Sequence, residues 1–70
     1  MTNIIATLMA ERGLTQQQLA AKSGLTQASI CRIINRTVFP KPLHIRRIAE
    51  ALGDDVKPEA IFSDLISSKS

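Results

Sequence analysis

Seventy residues leave room for one small domain rather than two, and a chain this short buries only about 60% of the surface its unfolded form exposes. Apolar residues make up 44% and aromatics 3% of the chain, which favours helices over a sheet; the single cysteine, Cys31, excludes an internal disulfide, and with the single histidine, His44, it falls short of the four ligands of a structural zinc site. The formal charge is +3, and the first twenty residues lack the basic start and long apolar run of a secretory or membrane-spanning segment.

The apolar spacing of Ile5, Leu8 and Met9 predicts a first helix over Thr2 to Arg12, because residues three and four apart share one helical face. Gly13 suits the left-handed residue that ends a helix, and Leu14 follows where an apolar cap contact is usual. Thr15 and Gln18 have the spacing of a capping box, which opens a second helix over Gln16 to about Lys22 that buries Leu19 and Ala20. Ser23, Gly24 and Leu25 form the connection, and Thr26 restarts a helix as its N-cap. Along that third helix Ile30, Ile33 and Ile34 fall on one side, and Ala28, Arg32 and Asn35 on the other.

Arg36 to Lys41 reads as a loop, and Pro42 fits the first position of a fourth helix, where its missing N–H would have no partner anyway. That helix runs to Leu52 with Ile45, Ile48, Ala49 and Leu52 inward, and Gly53 closes it. Pro58 opens a fifth helix carrying Ile61, Phe62, Leu65 and Ile66, and Ser67 to Ser70 form a polar tail expected to be disordered. Leu, Ile and Ala are expected to build the core, with Phe39 and Phe62 as its only rings; no internal repeat is evident.

Charge is unevenly distributed. Between Arg12 and Ala49 lie seven basic residues and no acid, whereas Glu50, Asp54, Asp55, Glu59 and Asp64 all follow. Such segregation suits a polyanion-binding face, with ordinary solvated charge as the alternative. Nothing pairs a nucleophile with a base or cradles a phosphate in glycines, so an enzyme is not expected.

The run Gly13-Leu14-Thr15-Gln16, the segments Gln18-Leu19-Ala20, Gly24-Leu25-Thr26-Gln27, Ser29-Ile30 and Ile33, and Ile48-Ala49-Glu50-Ala51-Leu52-Gly53 together resemble the lambda-repressor-like family, the Cro and phage-repressor type of DNA-binding domain. The resemblance extends from about Ile5 to Leu65. It implies an all-α, five-helix domain over residues 1–66 with a helix-turn-helix unit at 16–35, in which Ala20 makes the close helix contact. The sequence departs from the pattern at Arg36, where many relatives have glycine, at Ser23, where an apolar residue is commoner, and in a longer Asp54–Lys57 connection.

The resemblance further implies double-stranded DNA as partner, read from the major groove by the third helix. Gln27 and Ala28 are expected at base edges, with Arg32 a turn later as the candidate for guanine and Cys31 bordering the same face. The alternatives are a solvated Gln27, an Ala28 chosen only for helix propensity, and an Arg32 on phosphate. Gln16, Thr26, Ser29, Asn35, Arg36, Thr37 and Lys41 are the expected backbone contacts, Ser29 having helix capping as its rival role. Arg46 and Arg47 have no assigned direction, and His44 is expected to be exposed and inert.

The chain therefore reads as a cytoplasmic, Cro-like regulator too small for an inducer domain, with no cofactor, membrane or small-molecule ligand expected. One recognition helix reads only a few base pairs, so a homodimer on two half-sites is expected. Ile61, Phe62, Leu65 and Ile66 are its candidate surface, unless all four close the monomer core. Two rivals remain: a protein-interaction module of the antitoxin or adaptor kind, and an RNA binder, which the scarcity of aromatic stacking residues disfavours.

Overall fold

The computed structural model of the protein describes residues 4–67. Thr2 and Asn3, expected in the first helix, and residues 68–70 of the expected tail lie outside the described residues. Among the described residues are five helices and no strand: α1 (Ile4–Arg12), α2 (Gln16–Ser23), α3 (Gln27–Ile34), α4 (Pro42–Leu52) and α5 (Pro58–Ser67). Ser67, expected in the tail, is the last residue of α5.

The helix starts and stops follow local hydrogen bonding. Thr15 Oγ1 accepts from the Gln18 N–H at 3.1 Å, and Gln18 Oε1 accepts from the Thr15 N–H at 2.9 Å. This completes the reciprocal box that supplies two otherwise unpaired amides with partners. Thr26 caps α3 in the same way, accepting from the Ser29 N–H at 3.1 Å, but Ser29 is too short to return the bond. The chain also uses one four-residue connector twice, an economy that the sequence reading missed as a repeat. At Gly13-Leu14-Thr15-Gln16 the Leu14 N–H donates to Met9 O at 2.9 Å, and at Gly24-Leu25-Thr26-Gln27 the Leu25 N–H donates to Ala20 O at 3.0 Å. Each bond spans five residues and caps the helix just ended.

The third helix ends by the same device without a glycine. Arg36 is left-handed at φ 63°, its N–H donates to Ile33 O at 3.2 Å, and the Thr37 N–H donates to Arg32 O at 3.0 Å. The Thr37 hydroxyl adds a bond to the same carbonyl at 3.2 Å. Together these bonds hold an L-residue in a conformation that costs roughly 1–2 kcal/mol.

Packing follows the apolar pattern closely. Ile5, Leu19, Ile30, Ile48 and Ile61 are fully buried, and Met9, Ala20, Ile33, Ile45, Ala49, Leu52 and Leu65 complete the core. Truncating a fully buried isoleucine such as Ile30 to Ala would cost about 2–5 kcal/mol, a large part of what a domain this small possesses. Helix α2 packs on both α3 and α4, and α5 packs on α4 and α1. Ser23 is also buried, and its hydroxyl donates to Ala20 O at 3.2 Å. A backbone partner for the hydroxyl is what allows a polar residue at this buried position.

Two expectations about the core are corrected. Phe39 and Phe62 are 52% and 43% exposed; they meet edge-to-face at the surface, with ring centroids 5.9 Å apart and planes at 86°. Aliphatic side chains from five helices already fill the interior, so the rings pair outside it. Conversely, Ile61 and Leu65 are buried, which removes them from the candidate dimer surface, while Phe62 and Ile66 remain exposed.

The long connection before α5 is tied down by Arg12, whose Nη2 lies 2.7 Å from Asp55 Oδ2. This hydrogen bond, a second from the Asp55 backbone and the charge of Arg12 hold the Asp55 carboxyl below its ordinary range. Among the described residues, no helix is long and apolar enough to cross a membrane.

Arg36→Gly is expected to stabilise the fold by about 1 kcal/mol, raising Tm by about 4–8 °C in thermal denaturation, because glycine adopts this φ without strain. A lowered Asp55 value in the folded state means its contribution is present above the unfolded aspartate range and disappears as pH falls through the folded value. Acid titration of Tm should therefore fall less steeply below about pH 4 in Asp55→Asn than in the wild type.

Candidate nucleic-acid interface

Helix α3 carries the densest group of expected reading residues, and its two faces differ sharply. Ile30 and Ile33 are buried, whereas Gln27, Ala28, Arg32 and Asn35 are exposed and Cys31 is half-buried. Ala28, Arg32 and Asn35 are spaced four and three apart, so they form one stripe along the outer face. Cys31 borders this stripe and accepts a hydrogen bond from Asn35 Nδ2 at 3.3 Å. That contact uses one of the two amide protons of Asn35.

The orientation of this face depends on the connection from α2. Gly24 ends α2 at φ 74°, and Leu25 and Thr26 complete the turn, so the observed connection is shifted one residue toward the C-terminus from the expected one. A side chain at Gly24 would meet only Arg47 Nη1, at 3.5 Å, an ordinary contact. The requirement for glycine is therefore the left-handed backbone and not the space beside it. Arg47, unassigned from sequence, lies over this turn.

The cations divide into two groups. Arg12 is bound to Asp55, and Arg46 lies 3.9 Å from Glu50 on the exposed face of α4. Arg32, Arg36 and Lys41, which belong to α3 and the loop after it, are exposed and form no ion pair among the described residues. No acid lies between Arg12 and Ala49 in the chain, so the segment that holds these three cations carries only positive charge.

The expected backbone contacts are also sorted by their bonds. Gln16 is half-buried at the first position of α2, next to amides that its helix leaves unpaired. Thr26 is occupied in capping: it accepts from the Ser29 amide and donates to Ser29 Oγ at 3.0 Å. The Thr37 proton is directed to Arg32 O. A phosphate contact from either threonine hydroxyl would have to replace one of these bonds. Ser29 differs, because its oxygen accepts from Thr26 and its own proton remains free to donate outward.

His44 was the functional candidate that sequence reasoning set aside. It is half-buried on the first turn of α4 and shares with Ser29, Arg32 and Lys41 the rim of a hollow of about 160 Å3 floored in part by Phe39. Nothing in its local pattern announces this. Helices α3 and α4 both pack on α2, and the fold that results brings His44 to the same hollow as Ser29, Arg32 and Lys41. Among the described residues, no cluster of His, Cys, Asp and Glu is placed to hold a metal ion.

Comparison with known proteins agrees with this geometry. A family model described as helix-turn-helix matches residues 5–57. The HTH-type transcriptional repressor RghR of Bacillus subtilis (strain 168) is 47% identical over 49 residues, which are 69% of this chain and 36% of that protein. The chain thus spans about a third of the length of this curated relative. No solved structure gives a significant match. The matched span runs from the first buried residue of α1 to the α4–α5 connection and contains both connectors and the whole exposed face of α3, and on this ground the chain belongs to the helix-turn-helix family, in its lambda-repressor-like form.

Proposed function

We propose that this chain is a sequence-specific double-stranded DNA-binding transcriptional regulator, a Cro-like repressor that occupies an operator with α3 in the major groove. One observation carries the reading: the exposed face of α3 bears Gln27 and Arg32, whose side chains make no hydrogen bond among the described residues, beside the unpaired cations Arg36 and Lys41. A face built only for solubility would more usually intersperse both signs of charge.

In this reading Gln27 pairs with an adenine edge, Ala28 meets a thymine methyl, and Arg32 takes guanine O6 and N7. Cys31 borders the same bases. Gln16 and Ser29 donate to phosphates, and Arg36 and Lys41 bring charge to the backbone, while Asn35, Thr26 and Thr37 hold the ends of α3 in position. The relative named as a repressor supports the regulatory role. Two copies on half-sites about 34 Å apart would supply the specificity that one short helix lacks. The protein would act in the cytoplasm, where DNA is accessible and the Cys31 thiol stays reduced.

The test is fluorescence anisotropy against duplexes selected from a random library, at several salt concentrations. Arg32→Ala and Gln27→Ala should each remove about 1–3 kcal/mol of discrimination between the selected duplex and a scrambled one, leaving non-specific binding in place. Lys41→Ala should weaken all duplexes similarly and reduce the salt slope by about one. Equal binding of every duplex, unaffected by Arg32→Ala and Gln27→Ala, would overturn the assignment of α3 as reader.

A further inference from the structure

His44 is the only histidine among the 70 residues. It lies half-buried on the first turn of α4, and its ring has no partner among the described residues. The hollow that it borders combines two kinds of lining: Val38, Phe39 and Pro40 contribute an apolar part, and Ser29, Arg32, Lys41 and His44 a polar and cationic one. A sugar–phosphate unit has the same two characters, a carbon-bearing sugar face and an anionic edge, and Val38 and Phe39 are about half exposed to meet the first.

We propose that His44 completes a seat for one phosphate of the bound duplex and takes up a proton from solvent when that phosphate arrives, so that the affinity of this chain for DNA rises as the pH falls. The proposal rests on reading the chain as a duplex-DNA binder and adds to it a proton-dependent contact.

The charge around the imidazole carries the argument. From α3 it shares the hollow with Arg32 and the Ser29 hydroxyl, and from the following loop with Lys41; no carboxylate lines the hollow among the described residues. The first acid along α4, Glu50, lies 3.9 Å from Arg46, and α5 presents Glu59 to a different hollow, with Pro42, Ile45 and Phe62. The first turn of α4 adds the positive end of a helix. Every charge that faces His44 is therefore positive until an anion arrives.

A phosphate seated there reverses the sign of those surroundings and gives the imidazolium an acceptor for a charge-assisted hydrogen bond. Binding of phosphate and of the proton then favour each other reciprocally, as linkage requires. Arg32 and Lys41 keep their charge throughout the range in which an imidazole titrates, so they supply a constant attraction and His44 the variable one.

The experiment is fluorescence anisotropy of the 70-residue chain with the selected and the scrambled duplex at constant ionic strength, from about pH 8 to about pH 5.5, the range that covers imidazole titration. Wild-type affinity should rise about tenfold for both duplexes, because a phosphate contact carries no sequence information. His44→Gln should show no rise, and His44→Arg should be independent of pH, with helicity and Tm checked for each. Calorimetry near neutral pH in two buffers of different ionisation enthalpy should show proton uptake on binding by the wild type and none by His44→Gln. By NMR, the His44 ring should titrate at higher pH in the complex than in the free chain.

An affinity that is flat with pH in the wild type, a rise that survives in His44→Gln, or a rise confined to the selected duplex would each overturn the proposal. Failure of the operator reading is separable: selected and scrambled duplexes would then bind alike at every pH, while the proton-dependent rise would still be measurable on either. No binding to any duplex at any pH would overturn both.

Discussion

Between Ala20 and Thr26 the chain must end one helix, turn, and begin the next, and the orientation of everything that α3 exposes depends on how those few residues do it. Gly24 in the left-handed region reverses the chain, the Leu25 amide returns to the Ala20 carbonyl, and Thr26 caps the amides of α3. With Leu19 and Ala20 buried on one side of the turn and Ile30 and Ile33 on the other, α3 has no freedom to roll. A roll of one residue, about 100°, would bury Arg32 or expose an isoleucine. The core thus aims the polar face outward as a by-product of its own packing.

The same logic governs the end of α3. Arg36 occupies a conformation that glycine would adopt more easily, and three hydrogen bonds around Ile33, Arg32 and Thr37 hold it there. A cation at the end of α3 favours the helix dipole and contributes to the positive face. The strained backbone and an exposed, unpaired cation thus fall on the same residue.

Side chains near the interface divide between holding and reaching. Thr26 and Thr37 direct their hydroxyl protons, and Asn35 one amide proton, back into the protein, whereas Gln27, Arg32, Arg36 and Lys41 direct none. A polar group already bonded within the fold adds rigidity, which lowers the ordering cost of binding; an uncommitted one supplies the new bonds.

Much of this was legible in the sequence, because helix boundaries are decided by neighbours in the chain. The Thr15 capping box, the stop at Gly13, Pro42 at the start of α4 and the spacing of Ile45, Ile48, Ala49 and Leu52 all depend on bonds or faces within a few residues, and the pattern on α3 already separated its buried isoleucines from Ala28, Arg32 and Asn35. Tertiary structure decided what required distant segments to meet. His44 joins Ser29 and Arg32 only because α3 and α4 both pack on α2, and Arg12 reaches Asp55 across 43 positions of chain. Phe39 and Phe62, the natural core candidates by hydrophobicity, were left outside because aliphatic side chains had filled the interior, a competition for volume that a linear pattern does not record.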